Sequence, residues 1–441
     1  MHTRHLPATL AWHSAPMFLE PESSSALART LTRGDAVTIG MGSMIGAGMF
    51  VVWAPAAAAA GSLMWLSLSI VTVVAACNAY SSAMLAARYP SAGGTYVYGT
   101  KRLGALPGYL AGWCFIIGKS ASCVAMALTL GAYVAPGYER VAAAIAVMTV
   151  TAANLSGVQR SARISRVIVS IVLAVLLGLA VSVVVGSLVG DAVFDFSAGL
   201  ASGITVSAYG VLQAAGLLFF AFAGYARIAT LGEEVRDPER TIRQAIGITF
   251  VVVLAIYVAV AALIVGVIGT DTAAATATPV ADVAAQVWGS GWVWLIRFAA
   301  ACAAAGALLN MLLGISRTTM AMARDQHFPA SLAAVGGPHR VPRVAELSVA
   351  VVVLVVAMLV DLRGAIGFSS FGVLLYYAVA NASAWTLKGE KLWQRVVPVV
   401  GLAGCVVLVA SLPWESVLGG LIVVALGIGW YAVGRRSRMA E

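Results

Sequence analysis

The sequence predicts an all-α integral membrane protein with twelve transmembrane helices. Of its 441 residues, 61% are hydrophobic and 10% are charged, which is too little polar surface to cover a water-soluble globule of this size. Apolar runs of about 20 residues, the length of helix that crosses a bilayer, recur along the chain. The predicted spans are 36–59, 63–87, 108–135, 141–158, 164–189, 209–231, 244–269, 292–322, 346–361, 365–387, 396–412 and 416–434.

The basic residues are distributed by side of the membrane. When connections are assigned alternately from the N-terminus, one side collects most arginines and lysines, and the other has little beyond Arg140 and Arg363. Basic connections stay in the cytoplasm, so both termini are predicted to be cytoplasmic, which requires an even number of spans. The net charge of +9 thus reflects multi-pass topology in the cell membrane, and it indicates membrane lipid and not nucleic acid as a partner.

Two glycine-punctuated stretches lie inside long apolar segments, at 42–48 and at 219–225. An unpaired backbone group in hydrocarbon costs several kcal/mol, so a helix break at mid-depth is typical of a place where backbone meets a ligand. The first stretch is predicted to unwind, and its amides at 45–48 are predicted to bind a carboxylate. A close helix contact through Gly42 and Gly46 is the alternative interpretation.

The second stretch combines aromatic residues with Gly224, and such aromatic runs usually pack against lipid or neighbouring helices. Its position opposite the first break favours Phe222 or Tyr225 as a cover over a ligand. If the breaks belong to spans one and six, the chain has two halves of five spans, and an odd number per half makes the repeats inverted. The predicted organisation is a disordered cytoplasmic tail at 1–33, a first repeat at 34–190, a second repeat at 205–390, and two further helices with a cytoplasmic tail at 391–441.

Lys119 is the only lysine in the middle of an apolar span. A charge there costs about 2.5–3.5 kcal/mol on insertion scales, so the side chain is expected to face the interior of the bundle. Two interpretations are open: a lysine that couples transport to protons, and a permanently charged lysine that bonds helix-end carbonyls and stabilises the fold.

A run of mixed charges lies at the predicted inner mouth, near the end of span six. Such a run is usually a solvated face. It also offers an ion-pair gate, for which Asp35, Glu233 and Glu234 are the candidates.

The sequence holds no catalytic or metal-binding set within its spans. Its five histidines lie in tails and an inner loop, so the spans lack a His and carboxylate pair for acid–base or acyl-transfer chemistry. Its five cysteines lie in apolar spans without paired metal-type spacing and are interpreted as small packing residues. The protein is therefore predicted not to be an enzyme and to need no metal or cofactor.

Several motifs together resemble the amino acid–polyamine–organocation (APC) superfamily of permeases. In chain order they are Thr32 to Asp35 leading into Gly42 to Phe50, then Pro90 to Tyr96, Gly112-Trp113, Phe219 through Gly224 to Pro238, and Ser316 to Asp325. The resemblance covers about residues 30–390, and the ordered set is far more specific than any one motif. It implies a LeuT-like inverted repeat of five plus five helices, with helices one and six broken and two helices added, that transports an amino acid by alternating access.

The resemblance also implies a substrate site, motif by motif. The first helix would hold the substrate carboxylate, with Ser43, Ile45, Gly46, Ala47 and Gly48. The sixth helix would bind the amino group through backbone carbonyls and cover the substrate, with Phe222, Ala223, Gly224 and Tyr225.

Two positions depart from the family pattern. Many bacterial relatives have a Glu-Tyr pair where this chain has Gly118-Lys119, and proton-coupled relatives often have a lysine at the position of Val172. Lys119 is therefore the proton-coupling candidate, and a lysine near the site argues for a neutral rather than a cationic amino acid.

The sequence thus predicts a secondary active transporter of an amino acid, with proton symport favoured. An amino acid exchanger or exporter is the alternative within the same class. A substrate sensor on a transporter fold and a channel are alternatives from other classes.

Overall fold

The structure is a computed structural model, and it describes residues 31–89, 93–156, 162–189, 194–229, 231, 234–336, 341–387 and 391–440. Glu233, the start of the motif at 90–96 and most of the tail at 1–33 lie outside the described residues. Within these ranges the chain is helical, and its β-structure is limited to two isolated bridges, Leu31 with Val235 and Gly336 with Val341.

The described part of the chain forms eighteen α-helices. They are α1 Arg33–Met44, α2 Gly48–Val51, α3 Trp53–Ala60, α4 Met64–Arg88, α5 Gly94–Leu103, α6 Ala105–Val134, α7 Glu139–Leu155, α8 Ala162–Val189, α9 Phe196–Leu200, α10 Ala208–Phe222, α11 Ala226–Ala229, α12 Pro238–Ala275, α13 Pro279–Trp288, α14 Val293–Arg324, α15 Arg343–Leu359, α16 Leu362–Trp385, α17 Leu392–Ser411 and α18 Trp414–Ala440.

Local sequence explains where several helices begin. Thr32 caps α1 through its hydroxyl, which accepts from the Asp35 amide, while the Asp35 carboxylate accepts from the Thr32 amide. The Ser207 and Asp361 side chains cap α10 and α16 in the same manner. Pro238 is the first residue of α12, where its missing amide proton costs nothing.

The helices define a multi-pass membrane protein. In the described part of the chain, ten helical segments are long and apolar enough to cross a membrane. One of these segments joins α3 to α4 through Gly61, whose φ of 48° suits glycine and turns the chain. Helices α7 and α15 have 17 residues each, so they are slightly shorter than these ten segments, which have at least 18. The all-helical membrane fold is confirmed, and the count of twelve spans stays a prediction.

Burial separates the centre of the bundle from its exterior. Helix α6 and the segment formed by α10 and α11 are the most buried spans, whereas α8, α17 and α18 are the least. At the centre, α6 meets α16 at two glycines: a Cβ on Gly372 would lie 2.7 Å from the Cα of Gly118. This close approach fixes the part of α6 that carries the next residue, Lys119.

Candidate substrate-binding site

The first broken helix runs from α1 to α3 and is interrupted at 45–47. Helix α1 ends at Met44, Ile45 has non-helical dihedral angles (φ −80°, ψ 55°), and α2 begins at Gly48. Val52 between α2 and α3 keeps helical angles, so the helical course continues from Gly48 to Ala60. The break therefore creates a new helix N-terminus inside the bundle, and the first amides of any helix lack an intrahelical acceptor.

The second broken helix consists of α10 and α11, which are joined by a 3₁₀ turn at Ala223–Tyr225. Helix α10 ends at Phe222, and the residues of the turn are buried. The last carbonyls of a helix carry partial negative charge, which favours cations. The second break therefore presents a helix C-terminus where the first presents an N-terminus.

The two breaks are in direct contact through glycines. A Cβ on Gly224 would lie 2.5 Å from the Ser43 carbonyl oxygen, and a Cβ on Gly48 would lie 2.8 Å from the Cα of Ala221. Backbone of one break thus packs on backbone of the other, which no larger residue at these positions allows. The opposite helix ends therefore share one place in the bundle.

Tyr257 on α12 ties the two breaks together. Its buried hydroxyl lies 2.7 Å from the Met44 carbonyl oxygen and 2.8 Å from the Ala221 carbonyl oxygen, and it donates its hydrogen bond to this pair. Phe222 packs edge-on against the Tyr257 ring, with 5.0 Å between centroids. Carbonyls freed at both breaks are thus satisfied by one side chain.

Lys119 reaches the second break from α6. Its ammonium donates a hydrogen bond of 3.1 Å to the Ala223 carbonyl, and the residue is buried. The Tyr377 hydroxyl of α16 donates to the same carbonyl over a longer distance of 3.4 Å. The sequence-based expectation that Lys119 faces the interior of the bundle agrees with this position.

A small cavity lies between the two breaks, α6 and α14, with a volume of about 20 Å³. It is lined by Ser43, Met44, Gly46, Ala47, Gly48, Lys119, Ser122, Met126, Phe220, Ala221, Gly224 and Met311. A cavity of this volume holds about one water molecule. An amino acid therefore enters only if the surrounding side chains or half-helices move apart.

The cavity includes some of the predicted site residues and not others. Its lining contains these predicted residues: Ser43, Gly46, Ala47, Gly48, Gly224 and Lys119. Ala223 contributes its carbonyl to Lys119, whereas Ile45 lies outside the lining. The Phe222 ring packs toward Phe250 and Tyr257, and the Tyr225 ring toward Tyr377, so both aromatic side chains are engaged with other helices.

Sequence reasoning missed several residues of the site. Ser122 and Met126 follow Lys119 by three and seven positions, so helical spacing places them on the same face of α6 and could have found them. Met311, Tyr257 and Tyr377 are distant in sequence, and a single Met or Tyr in an apolar span gives no signal of its own.

At the other end of α1, the chain contacts several distant elements, and there the Arg33 guanidinium donates to the Gln244 side chain of α12 over 3.2 Å. Asp35 pairs with Arg166 of α8, with 2.8 Å between Oδ1 and the guanidinium nitrogen. The Leu31 amide donates to the Glu234 carbonyl, and the Arg236 amide donates to the Leu31 carbonyl, each over 3.0 Å. Of the three gate candidates, Asp35 and Glu234 thus lie at this closure, and we call it the α1 closure.

Metal ligands are not gathered at any of these places. Across the described residues, no group of three or more His, Cys, Asp or Glu side chains is arranged to hold a metal ion. The chemistry available to the site is therefore that of backbone dipoles, hydroxyls, thioethers and one ammonium.

A helical membrane protein with two broken helices around a buried cavity has the architecture of a transporter. The chain matches the amino acid permease family over residues 35–425 and belongs to that family, within the APC superfamily. The recognition made from the ordered motifs is confirmed.

Individual relatives agree with this membership. The chain is 53% identical to the uncharacterized transporter Rv1999c of Mycobacterium tuberculosis, over 93% of this chain and 92% of that protein. It is 25% identical to the branched-chain amino acid permease BcaP of Bacillus subtilis, over 93% and 94% of the respective chains. It is 29% identical to the vacuolar cationic amino acid transporter 2 of Arabidopsis thaliana, over 82% of this chain and 60% of that protein.

Proposed function

We propose that the protein is a secondary active transporter of a neutral amino acid in the cell membrane, coupled to protons through Lys119. The observation that carries the proposal is the meeting of two helix ends of opposite polarity at one buried cavity. An amino acid is a zwitterion, with a carboxylate and an ammonium a few ångström apart. A cavity with helix amides on one side and helix carbonyls on the other matches both groups at once.

In this proposal the carboxylate binds the backbone amides of 46–48, with the Ser43 hydroxyl nearby, because the Ile45 amide already donates to the Met41 carbonyl over 2.6 Å. The amino group binds the carbonyl of Ala223 beside Gly224. Phe222 and Tyr225 act as supports of the second broken helix, since their rings pack on neighbouring helices. Gly48 has a steric role, because its lack of a side chain lets the first broken helix approach Ala221 of the second.

A neutral substrate suits the walls of the cavity. The lining residues apart from the backbone and Lys119 are mostly apolar, with Met44, Met126, Met311 and Phe220. Methionine side chains are flexible and adapt to apolar groups of different shape. The named function of the Bacillus subtilis relative, a permease for branched-chain amino acids, supports the same choice, whereas the Arabidopsis thaliana relative is named for cationic ones.

The architecture that goes with the proposal has twelve spans, with both termini in the cytoplasm. The two breaks then begin inverted repeats at 34–190 and 205–390, with helices α17 and α18 as an addition. Alternating access moves the half-helices around the fixed cavity, and the α1 closure, with Asp35 and Glu234, is the cytoplasmic gate. Helix α13 and the outer ends of α6 and α14 lie on the opposite side in this arrangement.

Uptake into proteoliposomes tests the proposal. Purified protein is reconstituted and tested with each proteinogenic L-amino acid, with and without a proton gradient. Saturable uptake of a neutral amino acid is expected, and Gly48→Ala should reduce it about tenfold or more, because overpacking against fixed backbone costs about 1–3 kcal/mol. The matched control is Gly314→Ala, where an added Cβ meets nothing within 4 Å.

The same vesicles separate the rival functions. Uptake that requires amino acid inside the vesicle indicates an exchanger, and gradient-driven efflux indicates an exporter. Binding without flux of any kind contradicts the transporter and indicates a substrate sensor on this fold. Equal uptake by the Gly48→Ala and Gly314→Ala variants contradicts the proposed carboxylate site.

A further inference from the structure

The ammonium of Lys119 occupies the place that the proposed function gives to the substrate's amino group. Lys119 is 3% exposed, and its 3.1 Å hydrogen bond goes to the Ala223 carbonyl at the end of α10. Among the residues that the structure describes, it forms no ion pair. The backbone of the second break therefore already attracts an ammonium group, and the one it holds belongs to the chain itself.

The Ala223 carbonyl has no capacity left for a second ammonium. A carbonyl oxygen has two lone pairs, and here Lys119 and the Tyr377 hydroxyl approach them at 3.1 Å and 3.4 Å. The cavity beside it has a volume of about 20 Å³, so a substrate cannot simply lie next to Lys119. Two like charges held a few ångström apart away from water also repel each other strongly.

We propose that Lys119 is a tethered competitor, whose ammonium and the substrate's amino group take turns at the Ala223 carbonyl, so that the protein exchanges an amino acid for a proton. The inference rests on the proposed function and fixes the direction of its coupling as antiport. When the substrate's ammonium arrives, the Lys119 ammonium releases one proton to water and its neutral amine withdraws. When the substrate leaves, the amine takes up a proton and returns to the carbonyl.

Among the titratable side chains in this part of the protein, Lys119 is the residue that exchanges a proton in this mechanism. The described titratable or charged side chains near it or near the breaks include Cys123 and Tyr133 on α6, Tyr225 in the second broken helix, Arg227 on α11, Tyr257 on α12, Tyr376 and Tyr377 on α16, and Glu346 on α15, which packs against α6. An arginine side chain keeps its proton in proteins. Thiols and phenols are ordinarily uncharged near neutral pH. From α1 and α14, the cavity receives the uncharged side chains of Met44 and Met311.

Glu346 is a buried acidic residue on α15, the helix that packs against α6. It is 2% exposed and accepts a hydrogen bond of 2.7 Å from the Asn154 amide group of α7. Glu346→Gln keeps a hydrogen-bonding side chain of the same size while removing the charge. This variant therefore separates an effect of Glu346 from an effect of Lys119.

The test begins with binding. The strongest stabiliser among the proteinogenic L-amino acids is identified by thermal shift, and its Kd is measured between about pH 6 and pH 8 by isothermal titration. If one proton leaves for each amino acid bound, Kd falls by up to about tenfold per pH unit as pH rises. Lys119→Met should bind more tightly at the lowest pH and show no such slope, and Lys119→Arg should bind weakly throughout because its charge is permanent.

Two controls accompany these variants, Glu346→Gln in the bundle and Lys101→Met on an exposed face of α5. Both should keep the slope of the unmodified protein. A slope that disappears in Glu346→Gln overturns the inference. So does a folded Lys119→Met variant that loses binding, because Lys119 would then be a ligand of the substrate.

Vesicles that enclose a pH-sensitive dye show directly in which direction protons move when the amino acid is taken up. Amino acid added outside should raise the internal pH by antiport in the unmodified protein and leave it unchanged with Lys119→Met. A fall in internal pH means symport and overturns the inference while leaving amino acid transport intact. Absence of binding and uptake for every amino acid means that the proposed function fails, and the inference with it.

Discussion

At the scale of single residues, the helix breaks depend on side chains that replace lost backbone hydrogen bonds. Tyr257 is the clearest case, because its hydroxyl serves the Met44 and Ala221 carbonyls, one from each broken helix. Without a donor, two buried carbonyls would lie close together with their partial negative charges unopposed. One hydroxyl therefore bridges the two broken helices and supplies the donor that both carbonyls share.

Removing this hydroxyl should destabilise the protein. We expect Tyr257→Phe to lower the free energy of unfolding by about 1–2 kcal/mol, because the carbonyls lose their donor while the ring still fills its space. Unfolding by sodium dodecyl sulfate in mixed micelles measures the change. Tyr138→Phe, at a position that is 73% exposed, is the control and should have no effect. An unchanged free energy for Tyr257→Phe would mean that the two carbonyls find another donor.

At the scale of elements, the α1 closure joins α1 to α8 and the chain before α1 to the chain before α12. The ion pair of Asp35 and Arg166 is partly solvated, with side chains 19% and 58% exposed. Pairs of this kind contribute about 0–1 kcal/mol. Such an energy suits a gate, since it biases the closed state without preventing opening.

The gate should open more often when its ion pair is removed. We expect Arg166→Gln to increase the rate at which a thiol reagent, applied from the side of the α1 closure, modifies Ser43→Cys in a cysteine-free background. The increase should be up to about fivefold, which corresponds to about 1 kcal/mol. Arg243→Gln is the matched control, because its partner Glu239 lies on the same helix. An equal increase in both variants would contradict a gating role for the Asp35 pair.

At the scale of the whole molecule, the sequence predicted what depends on local chemistry. The break at 45–47 was predictable because glycines at 46 and 48 weaken a helix locally, and the inward position of Lys119 followed from the cost of a charge in lipid. The acceptor of Lys119, the bridge by Tyr257 and the packing of Phe222 away from the cavity depend on distant helices. No periodicity within one helix carries that information.

The number of crossings decides whether the halves can be inverted repeats, and α7 is the critical helix. Its 17 residues extend for about 26 Å, less than the apolar core of about 30 Å, so a crossing requires a locally thinner bilayer. Inversion needs an odd number of spans in each half, so the first half depends on α7 as its fourth.

Labelling of the two ends of α7 tests this arrangement. In a cysteine-free background, Tyr138→Cys should react with a membrane-impermeant maleimide in intact cells, and Ser156→Cys should react only after permeabilisation. Both positions are exposed, so access through the membrane, and not burial, sets the difference. Reaction of both residues from the same side would mean that α7 does not cross. The first half would then have four crossings, and because an even number leaves both halves in the same orientation, the opposed helix ends at the cavity would need an origin other than an inverted repeat.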